Sequence, residues 1–212
     1  DAALTAFTER AKAVLGETVR SGRLLIHLTA EPAGKAAVLP LLTELPACYP
    51  AGGKGEMRFR FVENIKREGF GSASRVNYVA RIGNFRTGGF RYTGALRIAQ
   101  TMLSYGYLWN EIRSKGGAYG CAVRFGRGGS VVFSSYRDPK LEETDKVYEG
   151  VPGYLEQYEA DEREMTKAVI GAIGEMDTPR TPQLSGLLAL SAYYSKVTDE
   201  MFAKERAEVL SA

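Results

Sequence analysis

Histidine is almost missing from this chain. Of its 212 residues one, His27, carries an imidazole. A catalytic zinc site ordinarily takes three protein ligands, histidine prominent among them. Serine and cysteine nucleophiles ordinarily work with an imidazole partner. A self-contained site of either kind is therefore not expected, and no metal ligand or cofactor-binding residue is assigned within the chain. His27 itself lies in RLLIHLT. Alternation there predicts a strand over 23–29, with Leu24, Ile26 and Leu28 on one face and Leu25, His27 and Thr29 on the other. His27 is read as a structural or surface residue.

Cysteine is also scarce. Cys48 and Cys121 lie far apart without a CxxC pattern, which gives no support to a metal or redox pair. They are expected to be buried thiols packed as small hydrophobes, since nothing else suggests a small stapled domain. No apolar run approaches the length of a membrane span, and the first twenty residues hold no secretory h-region. The net charge of +3 is too small to argue for nucleic acid or an anionic membrane as partner. The chain lacks an initiator methionine and reads as cut from something longer.

What is present suffices for a real core, with 44% of residues hydrophobic. Leu4, Phe7, Ala11 and Val14 recur at helical spacing over 2–19. PAGK (32–35) reads as a turn and 36–48 as a short helix bounded by Pro50. EMRFRFV alternates Met57, Phe59 and Phe61 against Arg58 and Arg60, the pattern of a half-buried strand. RVNYVARI alternates Val76, Tyr78, Ala80 and Ile82 in the same way. The clearest helix carries a stripe of Ala95, Ile98, Met102, Tyr105, Trp109 and Ile112, and Gly116-Gly117 supplies its exit. Strands at 119–125 and 130–136 joined by GRGG read as a hairpin. Asp138-Pro139 reads as the cap of a further helix with Leu141, Thr144 and Tyr148 on one side, bent or ended by Gly150, Pro152 and Gly153. Asp161 and Glu164 form a capping pair, and Thr198 caps the last helix. The predicted fold is α+β, a mainly antiparallel sheet covered by helices.

Most candidate sites have plain structural readings. GGAYG and GRGGS precede strands rather than helices, so turn and helix-exit roles fit better than phosphate binding. MRFRF fits an amphipathic strand better than an RNA surface. The acidic stretches ADEREM and LEETDKVYEG fit solvated helix faces. LWNEIRSKGGAYG, residues 108–120, is different. The macrodipole accounts for Arg113 at a helix end, and core packing accounts for Tyr119, as well as any chemistry does. Yet a guanidinium and a phenol on either side of a glycine loop could also donate hydrogen bonds to a carbonyl oxygen as negative charge builds on it. Such a pair polarises a substrate but does not activate water, so it needs a companion.

LWNEIRSKGGAYG, SYRDPKLEETDKVYEG and MTKAVIGAIGEMDTP, preceded by RVNYVARIGN, occur in one order across 75–212. That set resembles the C-terminal half of the pitrilysin/insulinase-type zinc metallopeptidases, in the presequence-protease (falcilysin-like) branch. The resemblance implies that residues 1–212 form a single C-terminal peptidase-family domain, with 1–19 a connecting helix. It implies catalytic roles for Arg113 and Tyr119, which match the family's R-x5-Y stretch, as donors to the scissile carbonyl. Zinc is then expected in the N-terminal half of the parent polypeptide, since H-x-x-E-H is absent here. The implied partners are that half and an unstructured peptide substrate, in a bacterial cytoplasm or an organelle interior. The alternative implied by the same fold is a non-catalytic scaffold or peptide-binding domain.

Overall fold

The structure is a computed structural model that describes residues 2–52 and 66–212. The expected EMRFRFV strand lies outside the described residues. Two compact units emerge, one of Asp1–Glu68 with Arg180–Lys196, the other of Gly69–Pro179 with Val197–Ala212. Each is described by itself.

The first unit is helical. Helix α1 spans Ala2–Thr18 and buries none of its residues, so the expected stripe of Leu4, Phe7 and Val14 is exposed. The expected strand at 23–29 does not form. Ser21–Arg23 is a single 3-10 turn, and 24–31 runs on without strand pairing. That segment crosses α6 (Pro182–Ser195) at Gly186, where a Cβ would stand 2.0 Å from Thr29 Oγ1 and 3.0 Å from His27 Cε1. His27 therefore sits against a helix backbone. PAGK is not a turn either: helix α2, Pro32–Glu44, opens on it. Pro32 stands in the first helical turn, where a missing N–H costs nothing. A 3-10 turn, Leu45–Cys48, follows, and Cys48 is exposed at its end rather than buried.

The second unit bears out the α+β expectation. Strands β1 (Asn77–Asn84), β2 (Gly120–Phe125) and β3 (Ser130–Asp138) form an antiparallel sheet in the order β1-β3-β2. The β2–β3 hairpin turns through GRGG, with Gly126 N–H donating to Ser130 O at 2.7 Å and Gly129 at φ 99°. Strand β1 forms where expected but shows the opposite face. Tyr78 and Ile82 are each 71% exposed, whereas Val79 is buried. The cause is helix α4, Glu142–Gln157. Its Asp145 and Glu149 take the Arg81 guanidinium at 2.9–3.0 Å, and its Tyr148 hydroxyl donates to Val79 O at 3.5 Å. Helix α4 thus covers the face of β1 that carries Val79 and Arg81.

The helix after β1 starts as α3, Ala95–Met102, and continues in π-helical turns at Leu103–Tyr107 and Trp109–Ser114. Those wider turns shift the phase of the apolar stripe. Ile98 and Ile112 are buried as expected, but Leu103 and Leu108, five residues apart, replace Tyr105 and Trp109 in the core. A π-turn bonds i to i+5, so a five-residue step keeps one face inward. Leu103, Leu108 and Ile112 pack with Val79, Val123, Tyr148 and Val151 into the main core. Each such side chain contributes roughly 1.5–3 kcal/mol of burial.

Asp138 is not the cap of α4, which begins four residues later. It is fully buried, and its carboxylate accepts from Ser135 Oγ at 2.6 Å, Thr144 Oγ1 at 2.8 Å and Lys140 N at 2.9 Å. Helix α4 also runs through Gly150 and Pro152 to Gln157, because Tyr148 and Val151 are held in the core on either side of the break. Helices α5 (Glu162–Met176) and α7 (Asp199–Leu210) pack on α3 around Ile98, Ala168, Ala172 and Val209. Asp161 and Thr198 cap them as expected, accepting from Glu164 N at 2.7 Å and Met201 N at 3.3 Å.

Candidate functional site

The site begins with the end of the long helix. Lys115 N–H reaches back to Asn110 O at 2.9 Å, Gly117 N–H to Arg113 O at 3.0 Å and Ala118 N–H to Ile112 O at 3.1 Å. Two glycines make this exit possible. A Cβ on Gly116 would lie 2.3 Å from Ile112 O, and Gly117 has φ 83°, a region L side chains rarely enter. The chain then enters β2, with Tyr119 N–H donating to Arg137 O at 3.3 Å. Arg113 and Tyr119 are thus fixed at the two ends of one closed backbone loop, anchored below by buried Ile112 and Ala118.

Both side chains face outward. Tyr119 is 60% exposed, and Arg113 is exposed too. They share no hydrogen bond or ring contact. The Arg113 guanidinium lies over the indole of Trp109, 3.9 Å from the centroid. The Tyr119 ring meets Tyr136 edge-on at 5.4 Å and carries the Arg137 guanidinium over it at 5.6 Å. Tyr136 can lean this far because Gly120 has no side chain: a Cβ there would stand 2.3 Å from the ring. Neither the guanidinium of Arg113 nor the hydroxyl of Tyr119 has a hydrogen-bond partner among the described residues, so both remain available as donors.

At Trp109 a groove of about 500 Å³ runs between the long helix and edge strand β2. Tyr105, Trp109, Cys121, Arg124, Phe125 and Glu175 line it. Burial pushes the Cys121 thiol up to about 11, with Arg113 pulling it back and Asp138 pushing it further. At neutral pH it is a thiol, not a nucleophile. Two N–H groups of β2 at this edge are covered by helix side chains, Val123 N by Ser104 Oγ at 3.4 Å and Phe125 N by Gln100 Oε1 at 3.2 Å.

The sequence offers Arg113 and Tyr119 as candidates, and both are exposed. Trp109 and Arg137 were not singled out. Trp109 sat in the apolar stripe, and only the π-turns bring it to the surface. The MRFRF surface lies outside the described residues. Among the described residues no three His, Cys, Asp or Glu side chains converge as a metal cluster, and no helix is long and apolar enough to cross a membrane.

Comparison with known proteins places this chain in a family. Residues 67–212 match the model of the PreP C-terminal domain. Protein HypA of Clostridium perfringens is 44% identical over 154 residues, 73% of this chain and 16% of that protein. Presequence protease 1, chloroplastic/mitochondrial, of Arabidopsis thaliana is 33% identical over 148 residues, 69% of this chain and 14% of its own length. The mitochondrial presequence protease of Danio rerio is 32% identical over 128 residues, 59% of this chain and 12% of that protein. The chain therefore spans a sixth or less of these relatives. With the match running from before β1 to the last residue, and with the Arg113–Tyr119 loop inside it, this chain belongs to the PreP C-terminal domain family.

Proposed function

We propose that this chain is the C-terminal, substrate-binding part of a zinc metalloendopeptidase that degrades unstructured peptides, with zinc held by an N-terminal half of the same polypeptide. The observation that carries this reading is the pair of exposed donors, Arg113 and Tyr119, fixed at the two ends of a hydrogen-bonded glycine loop within a presequence-protease-type domain. Zinc in the other half would supply the Lewis acid and the activated water. This chain supplies the donors that hold the peptide carbonyl and follow its oxygen as charge develops.

The magnitudes suit that role. A charge-assisted hydrogen bond contributes on the order of 1.5–3 kcal/mol, and a donor aimed at the developing oxyanion about 3–4 kcal/mol of barrier. Arg113 gains from resting on Trp109, since a guanidinium with its orientation already restricted loses less entropy on meeting substrate. Such a site needs an extended, unfolded substrate, because a carbonyl inside a folded backbone is already hydrogen-bonded. The relatives named for chloroplasts and mitochondria, and the clostridial one, are compatible with an organelle interior or a bacterial cytoplasm.

The test is made in the full-length polypeptide. Arg113→Ala and Tyr119→Phe should each lower kcat on an unstructured peptide by about a hundredfold, with thermal midpoints close to the parent's because both side chains are exposed. Turnover within about twofold of the parent in both folded variants would overturn the donor roles. Absence of any peptidase activity in the intact parent would instead favour a peptide-binding scaffold.

A further inference from the structure

The proposed site contains a non-glycine residue in a left-handed backbone conformation. Arg137, the extra residue where β3 bulges against β1, has φ 48°. The left-handed region is uncommon for any residue with a Cβ, and glycine enters it freely. Backbone in such a state persists only where its surroundings impose it, and these outliers gather at functional sites. The surroundings here are explicit. Asp138, the next residue, is fully buried with three donors on its carboxylate. The preceding Tyr136 is paired with Gly120 across the hairpin and lies against Tyr119. Arg137 itself accepts the Tyr119 N–H at 3.3 Å and sets its guanidinium over the Tyr119 ring at 5.6 Å. Its side chain has no other partner among the described residues and is exposed. Glycine would satisfy the bulge at least as well, so the backbone gives no reason for an arginine.

We infer that Arg137 is the positioning residue of the Tyr119 phenol, fixing the ring from one face while Tyr136 bounds its edge, so that the hydroxyl is held at one place above the β2 entrance. The inference rests on the donor role proposed for Tyr119 and deepens it. A cation within about 6 Å of a ring face attracts it. A ring clamped on two sides loses fewer states when substrate arrives. Arg137 acts on the reaction through the phenol and has no need to touch the peptide.

Two substitutions separate this role from a structural one. Arg137→Gly relieves the backbone but removes the guanidinium; Arg137→Lys keeps a cation over the ring. Arg137→Gly should leave the thermal midpoint equal or raised, yet lower kcat about tenfold with KM within about twofold, since a misplaced donor loses transition-state binding. Arg137→Lys should recover most of that loss. In a Tyr119→Phe background Arg137→Gly should add less than about twofold, because the two residues act as a unit. Independently of turnover, the Tyr119 ring protons of this chain should shift in Arg137→Gly and stay near their original positions in Arg137→Lys. Unmoved ring signals in Arg137→Gly, or a full tenfold effect persisting without the phenol, would overturn the inference. If Tyr119→Phe proved fully active while the ring signals moved as expected, the donor role would fall and the clamp would stand.

Discussion

The Arg113 guanidinium rests 3.9 Å from the centroid of the Trp109 indole, four residues back on the same π-helical turn. Trp109 is the only tryptophan of the chain, and it is 37% exposed, so the protein's indole emission comes from this position. Arg113→Ala should alter the intensity or wavelength of that emission without unfolding the protein. Trp109→Ala should lower kcat about two- to fivefold, since an exposed stack of this kind contributes about 0.5–1 kcal/mol, and Trp109→Phe, which retains a weaker ring face, should cost less. Equal turnover in Trp109→Ala and the parent would show that the guanidinium needs no platform.

That contact also marks how far the sequence could be read. The α+β class, the hairpin through GRGG and the caps at Asp161 and Thr198 followed from local chemistry, since turn glycines and capping oxygens act within three or four residues. Arg113 and Tyr119 stood out because a glycine pair separates them. Trp109 did not, because a 3.6-residue period puts it in the core and only the change to π-turns turns it out. Strand β1 shows the same limit: its apolar residues alternate, but α4, more than sixty residues away, packs Tyr148 and Val151 on Val79 and pairs Arg81 on the other face. The left-handed Arg137 had no signal at all, because the bulge that it occupies is set by the pairing of β3 with the distant β1.

The glycine exit should be intolerant in a graded way. Gly117 has a positive φ but open space around it, with its nearest neighbour Pro139 Cγ at 3.5 Å from a built Cβ. Gly117→Ala should therefore cost about 1–2 kcal/mol, the penalty of a left-handed backbone alone. Gly116→Ala adds a Cβ 2.3 Å from Ile112 O and 2.9 Å from Glu111 O, and must displace the helix end. Urea denaturation should rank Gly116→Ala as the more destabilising, and in the full-length polypeptide it should also disturb turnover more. The reverse order would mean that the loop is not closed on the helix as described.

The two thiols should react very differently. Cys48 is exposed. Cys121 is half-buried against the groove, with burial pushing its thiol to about 11. At pH 8 its thiolate fraction is then roughly one in a thousand. A disulfide reagent should therefore modify one thiol per native chain quickly and the second only slowly or on unfolding. Cys48→Ser should remove the fast phase. Arg113→Ala should slow the residual Cys121 phase further, because it removes the cation that favours the thiolate.

A buried electrostatic cluster centres on Glu205 of α7. This carboxylate is 4% exposed and bridges Arg97 of α3 and Arg127 of the hairpin turn, with Arg127 Nη2 at 2.5 Å and the Tyr92 hydroxyl donating at 2.9 Å. Burial works to raise its pKa, but hydrogen bonds from Arg97, Arg127 and Tyr92 outweigh it and hold the carboxyl below its ordinary value. A folded-state pKa below the unfolded one means that the native form binds fewer protons. The stabilisation is then complete above the unfolded carboxyl pKa of about 4.3 and is lost as pH falls through the lower folded value. Glu205→Gln should cost about 3–5 kcal/mol at pH 7, since it strands two half-buried guanidinium groups. Its penalty relative to the parent should shrink as pH is lowered below about 4. Chemical denaturation of both proteins from pH 7 to pH 3 measures this. A penalty that stays constant across that range would mean that Glu205 stabilises the fold by packing and not by its charge.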